Sequence, residues 1–512
     1  MSHPNRNNRS TVIGRLLACT ALLAGVIGLA APTGAEAAEQ TKTKTYALIV
    51  ANNESVDSGV EPLEYADDDG ARYWEMFDSF ADEATLLATL DADSQRIFPE
   101  VARQTKPATS EQLERTVGQL AEQIERDRRE GIESELYLIL TGHGSVDETG
   151  EGYLSLADSK LHRSDLYRDI VEPLDADYTH MIVDACHAYF MVHSRGGGEG
   201  EEWQDDRSGQ TLNRQLSAYL ADRDKEKQQT LQTVGVIVST AGNAEVHEWS
   251  RYRAGVFSHQ LRSGLLGAAD ADGNGDITYR ELEAYLVAAN AAVTNPRARI
   301  DVYAHPPKQD RRRRLTSLDD FDGATILEIP AGMGGKYHLE DSRGLRYADF
   351  HVDGATPTRV ALLQEPVSGG TYYLRKKGRQ AKIPLDRLTV QSSELAYNAV
   401  SQQARGSVDE AFRTELFKTP FGPSFVAGFR AGRDSAAGMA APTPSTDEPK
   451  EWSVEAGVGY GMGRTPAWPG LADSGQLQHQ VDARATFRHR SGWGLGPFAN
   501  WGGSFYRSGQ TL

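Results

Sequence analysis

Two positions in this chain combine a reactive side chain with the backbone setting such a side chain needs. His143 stands between Gly142 and Gly144, where the apolar run of "LILTGHGSVDETG" stops. Cys186 closes the apolar run of "HMIVDACHAYF". Each sits where a strand would reach its carboxyl end, the edge at which open parallel sheets gather their active sites. If the two strands are neighbours, imidazole and thiol face each other. Cysteine attacks a carbonyl carbon only as thiolate, and a nearby histidine helps to make it one. The flanking glycines let the backbone turn sharply and approach a substrate closely. The amides of Gly144 and Cys186 then offer hydrogen bonds to a tetrahedral oxyanion.

Plainer readings compete. His143 can be a turn residue, and Cys186 a small buried hydrophobe in an inactive domain. His187 is a poor rival for the base, because adjacency in sequence gives it bad geometry toward the neighbouring thiol. The cysteine count bears on this choice. The chain has two cysteines, and Cys19 lies in an N-terminal leader, so Cys186 has no intramolecular disulfide partner in the mature protein. That leader has a basic start (Arg6, Arg9, Arg15), the apolar core "LLACTALLAGVIGLAA" and the small residues "AEA" before Ala38. Residues 1–37 are expected to be a secretory signal peptide, which puts the mature protein in the periplasm, outside the cell or on its surface.

Stepping outward from the two side chains, the elements that must hold them follow an alternating pattern. "TYALIVANN", "ATLLAT", "SELYLIL", "THMIVDA" and "VGVIVST" read as strands. Between them, 62–80 has helical spacing through Leu63, Ala66, Tyr73, Trp74 and Phe77. Residues 109–131 carry a stripe of Leu113, Val117, Leu120 and Ile124, with Ser110 as the expected cap and Gly131 as the stop. Residues 164–174 read as a further helix. Alternation of this kind predicts an α/β fold, a mostly parallel sheet with helices on both faces. From 323 to 392 the pattern changes to short strands of a small antiparallel β domain. Residues 393–450 read as helix and linker. Residues 451–512 alternate apolar and polar with many glycines and aromatics, as outer-membrane barrel strands do. They have room for a few strands where a closed barrel needs about eight, so either a β appendage or an incomplete barrel fits.

"TGHG" after one strand and "DACHA" after the next resemble the caspase and metacaspase family of cysteine peptidases, in the form of a bacterial caspase-like protein. "TYALIVANN" followed by "YADDDGARYWEMF" is similar to that family's first strand and helix, and "GVIVSTAGNAEVHEWSRYRAGVFSHQLRSGL" to its small subunit. The resemblance spans about residues 44–320. It implies His143 as general base, Cys186 as nucleophile and Gly144 in the oxyanion hole. It also implies Asp184 as a specificity acid, which selects Arg or Lys before the cut bond through a charge-assisted hydrogen bond. A second acid comes from Asp67, Asp68 or Asp69. Asp184 as a helix cap or an arginine partner is the bland alternative. Ala188 departs from the small or hydroxyl residue usual after "CH".

A separate motif lies within that span. "DADGNGDITYRE", 270–281, carries every diagnostic position of an EF-hand calcium loop, inside a helix–loop–helix expected over 256–293. Asp270, Asp272 and Asn274 supply side-chain oxygens, and Gly275 permits the bend. Asp276 gives its carbonyl, Thr278 fits the ninth position and Glu281 closes the loop with two oxygens. Ca²⁺ is the expected ion. No second loop is visible to pair with it.

The formal charge of −18 argues against nucleic acid or anionic lipid as a main partner. Protein or peptide substrates are expected instead. Self-processing is expected in the glycine-rich stretch 195–210, which holds Arg195 and Arg207, and outer-membrane association through the C-terminal β segment. The alternatives are a calcium-binding scaffold with an inactive peptidase domain and a surface-displayed interaction protein.

Overall fold

Strand β1, Thr43–Asn52, sends alternate side chains into two different cores. Ala47, Ile49 and Ala51 join one; Tyr46, Leu48 and Val50 join the other. A strand apolar on both faces belongs inside a parallel sheet covered on both sides. The computed structural model describes residues 42–185, 188, 232–240, 248–293, 300–364, 370–399, 415–438, 452–464, 477–489, 494–495 and 498–504. Cys186, His187, the leader and the stretch 195–210 lie outside the described residues.

β1 pairs in parallel with β2 (Glu83–Ala88) on one side and β3 (Glu133–Gly142) on the other. Beyond β3 lie β7 (Tyr178–Ala185) and β8 (Val234–Thr240), again parallel, and then β12 (Asp301–His305), antiparallel to β8. The six-stranded order is therefore β12-β8-β7-β3-β1-β2. The fold is α/β, with a mainly parallel central sheet flanked by helices. Helices α1 (Ala66–Asp78), α5 (Val256–Ser263) and α6 (Tyr279–Asn290) bury their apolar residues on one face. The opposite face is covered by α4 (Ser110–Arg129) and the helical turns over 163–174. α4 is capped by Thr109, whose side chain accepts from the Gln112 amide, not by Ser110 as the sequence suggested. Two short helices, α2 (Ala92–Ile97) and α3 (Pro99–Gln104), follow β2.

The first core continues into small β sheets, where Leu327, Leu339, Phe350 and Val360 are buried. β14 (Thr325–Ile329), β17 (Thr358–Leu362) and β20 (Thr389–Gln391) form one of these sheets. β15 (Gly335–Glu340), β16 (Arg346–Val352), β18 (Tyr372–Lys376), β19 (Arg379–Ile383) and β21 (Asn398–Ala399) form the other. The pairs are antiparallel except β14 with β20, which run parallel. All this belongs to a compact unit, Met1–Asp434. The second unit, Ser435–Leu512, contains 13-residue strands β22 (Trp452–Arg464) and β23 (Leu477–His489), paired antiparallel along their whole length. β24 (Gly494–Leu495) and β25 (Phe498–Ser504) add to β23.

Candidate active site and calcium loop

The sheet brings the two candidate strand ends side by side. Gly142 pairs with Ala185 across β3 and β7, so His143 and Cys186 each follow one member of a registered pair. Adjacent strands run about 4.8 Å apart, and the chain order reverses beside β1, where open α/β sheets form their ligand crevice. Gly142 is required at the last position of β3. Its φ is +148°, and a β-carbon there would lie 2.7 Å from the Asn52 carbonyl oxygen.

The backbone of His143 is clamped from the next hairpin, β4 (Gly144–Val146), β5 (Gly152–Ser155) and β6 (Lys160–His162). The His143 carbonyl accepts from the Ser155 amide at 2.8 Å. The Asn52 amide nitrogen donates to the Ser155 carbonyl at 3.0 Å and to the Glu54 carbonyl at 2.7 Å. Asn52 thus ties the end of β1 to the histidine. The ring is half-buried, and its Nε2 is buried with no hydrogen-bond partner among the described residues. Burial holds the imidazole below the ordinary histidine value, against backbone hydrogen bonding at Glu61 and Asn53 and the charge of Glu54. A neutral ring with a spare nitrogen is what a general base requires. Gly144 opens β4 opposite Leu154.

Asp184 lies one residue from the end of β7 and is buried. Its Oδ2 accepts from Ser258 Oγ at 2.6 Å and its Oδ1 from Ser239 Oγ at 3.4 Å. Burial raises its carboxyl above the usual range, opposed by these serines. No cation pairs with it among the described residues.

The three aspartates at the start of α1 divide their work. Asp67 binds Asn53 and the Asp91 amide, and Asp68 binds Ser94 and Arg253. Asp69 alone faces the Asp184 region. It accepts from the Gly255 amide at 2.7 Å and from Arg262 at 3.1 Å. Burial pushes its carboxyl well up, Arg262 opposes this, and Asp184 adds to it. The spacing of three consecutive acids cannot select among them, since each points a different way around the helix. Ser258, Arg262 and Asn52 were not singled out in the sequence. Ser258 and Arg262 stand four apart on α5, which puts them on one helical face, and that spacing in "VFSHQLRS" is the signal that could have found them.

The loop 270–281 joins the last turns after α5 to α6. Gly273 and Gly275 have φ of +80° and +95°. Asp270 accepts from the Gly273 and Gly275 amides at 2.8 and 3.0 Å, and Asn274 from the Asp276 amide at 2.7 Å. Asp270, Asp272 and Glu281 each present a carboxylate oxygen within 4.8 Å of the others. Glu281 also forms a capping box with Thr278, which fixes it at the start of α6. This all-oxygen set fits a hard divalent cation. The short strand β11 (Asp276–Thr278), which in paired calcium loops would meet a second loop, pairs instead with β13 (Arg314–Ser317) of the same chain. Asp276 accepts from Arg314 at 3.2 Å through its side chain, while its backbone carbonyl is the oxygen the loop pattern assigns to an ion. Arg359 of β17 reaches the loop, donating to the Gly273 carbonyl at 2.6 Å and to Asp270 at 3.3 Å.

No protein-family model matches the chain, and no curated protein matches it. Among solved structures, caspase-1 from Spodoptera frugiperda is 12% identical, with 52% of this chain and 90% of that chain covered at a TM-score of 0.31. The structure of pro-sf-caspase-1 is 13% identical, with 54% and 86% covered at a TM-score of 0.29. Likeness of that size adds nothing to what the residues and strand order say for themselves.

Proposed function

We propose that this protein is an exported cysteine endopeptidase of caspase-like fold that cuts after Arg or Lys. One observation carries the reading: β3 and β7 are parallel neighbours in the register Gly142–Ala185, and the residues that follow are His143 and Cys186. His143 Nε2 takes the thiol proton. The thiolate adds to the peptide carbonyl carbon, and the amides of Gly144 and Cys186 hold the oxyanion. The C–N bond breaks, the imidazolium gives its proton to the leaving amine, and water then attacks the thioester with His143 again as base.

Specificity rests on Asp184 with Asp69 beside it. A buried carboxylate held by serine hydroxyls and a backbone amide, with no ion pair among the described residues, gains most from a ligand that brings its own positive charge. An arginine or lysine side chain meets that need; an acidic one does not. Ca²⁺ in the loop would be held by Asp270, Asp272, Asn274, the Asp276 carbonyl, Thr278 and Glu281. It would stiffen the junction of α6 with the turns that follow α5. Self-cleavage within 195–210 and attachment to the outer membrane through the β segment 451–512 belong to the same proposal.

The deciding experiment is turnover of an Arg-containing fluorogenic peptide by wild type beside Cys186→Ala, with Ca²⁺ and with chelator. Turnover lost in the variant supports the peptidase. Equal, background turnover in both supports the second reading, a calcium-binding scaffold, which the clustered carboxylates of Asp270, Asp272 and Glu281 favour independently of the thiol.

A further inference from the structure

Two buried carboxylates, Asp69 and Asp184, meet beside Gly255. The Oδ2 atom of each lies 3.0 Å from the point a β-carbon of Gly255 would occupy, so the two oxygens stand no more than about 6 Å apart. Carboxylates this close and out of water do not both ionise unless positive charge joins them. Among the described residues, the cation in contact with the pair is Arg262, which pairs with Asp69 at 3.1 Å.

The other charged and titratable groups around the pair leave Asp184 without a counterion. Arg72 opposes the rise of Asp69 from a distance, while its Nη atoms donate to the carbonyls of Arg346 and Tyr252. Asp68 is taken by Ser94 and Arg253. Glu248, held by the Glu64 and Tyr65 amides at 2.9 and 2.7 Å, adds negative charge on the side of Asp184. Tyr73 donates to Ser258 Oγ at 3.2 Å.

Hydrogen bonding decides which acid takes a proton. Asp69 accepts from the Gly255 amide and the Arg262 guanidinium, two donors that cannot become acceptors. Asp184 has a fixed donor in the Ser258 amide but otherwise faces the hydroxyls of Ser258 and Ser239, at 2.6 and 3.4 Å. A hydroxyl donates or accepts by rotation. A proton on Asp184 needs one serine to turn; a proton on Asp69 would meet an N–H. Burial lifts both carboxyls, and the ion pair with Arg262 favours the charged form of Asp69 alone.

We propose that the empty pocket keeps a proton on Asp184 and releases it to solvent when an arginine or lysine side chain enters, with Arg262 as the positioning residue that holds Asp69 charged and so directs the proton to Asp184. The inference rests on the basic-residue reading of this pocket. Affinity for the cation then rises with pH until Asp184 ionises unaided, and is level above that. The proton enters the kinetics through KM; kcat, which reports the filled pocket, keeps the limb set by His143.

The probe is agmatine, an arginine side chain without its peptide, titrated calorimetrically into the full chain in buffers of different ionisation heat. The difference between buffers counts the protons released. Release should approach one proton per agmatine at mildly acid pH and fall toward none as pH rises, with affinity gaining up to about tenfold per pH unit across that window. Asp184→Asn should bind more weakly and release none. Arg262→Gln should carry the release to higher pH, and Arg262→Lys should restore the wild-type profile. A variant that only loosened the fold would weaken binding at every pH alike. Where Arg262→Gln fails to fold, the wild-type release and its loss in Asp184→Asn decide. Agmatine bound without proton release, release retained in Asp184→Asn, or no agmatine binding overturns the inference. None of these outcomes involves Cys186. A protein that binds agmatine with proton release but turns over no peptide loses the peptidase reading and keeps the pocket.

Discussion

The carboxylates of Asp69 and Asp184 flank Gly255, such that a β-carbon on that residue would lie 3.0 Å from an oxygen of each. The two acids come from α1 and β7, and a side chain at Gly255 would crowd both. If they form the specificity pocket, Asp184→Asn lowers kcat/KM for an Arg substrate by roughly 100-fold, the size of losing one partner of a desolvated ion pair. Peptides differing only in the residue before the cut bond measure this. An unchanged preference would remove Asp184 from the pocket.

His143→Ala and Cys186→Ala should each lower kcat by roughly a thousandfold or more, and the double variant no further, since members of one catalytic unit are not additive. Burial lowers the His143 value, so the acid limb of the rate profile is expected below the ordinary histidine value of about 6.5. Activity falls as pH drops through that lowered value, because the base becomes protonated. A limb above it contradicts the assignment.

Gly142→Ala forces a side chain into a backbone conformation at φ +148° and against the Asn52 carbonyl. Strain of about 1–3 kcal/mol is expected. The readout is a lower Tm together with lost peptide turnover, whereas Gly118→Ala, on α4 with open space around its Cα, leaves both intact.

Calcium binding, followed by terbium luminescence or calorimetry, should weaken at least about tenfold in Glu281→Gln, as loss of a charged ligand implies. Arg359→Gln acts the opposite way. It removes a positive charge 3.3 Å from Asp270 and is expected to tighten binding severalfold. Wild type that binds neither ion ends the calcium proposal; tight binding unchanged in Arg359→Gln ends only the role of Arg359.

His259 lies between Asp349, at 2.9 Å, and the arginines of the same core, and its value is lowered to about 4, chiefly by burial. The native state therefore keeps the ring neutral where the unfolded chain, titrating near 6.5, takes up a proton. Stability tied to this group is complete above pH 6.5 and is lost as pH falls toward 4. Asp349, held low by Arg346 and His259, adds loss in the same direction at lower pH. Tm should fall over that window. His259→Gln should flatten the upper part, and an unaltered slope would show that other groups govern acid unfolding.

Local chemistry was enough to read much of this molecule from its residues. The continuous apolar runs of β1, β3, β7 and β8, the helical stripe of α4 and the spacing of the loop 270–281 all depend on neighbours close in sequence. His143 and Cys186 stood out because a reactive group following an apolar run marks a strand end wherever the strand goes. What the residues could not decide depends on contacts between distant segments. Only packing made β3 and β7 neighbours in the register that precedes both groups. Only packing turned Asp69, rather than Asp67 or Asp68, toward Asp184, and set β13 where a second calcium loop would otherwise pair. Thr109 took the cap from Ser110 through one backbone turn that propensity does not distinguish.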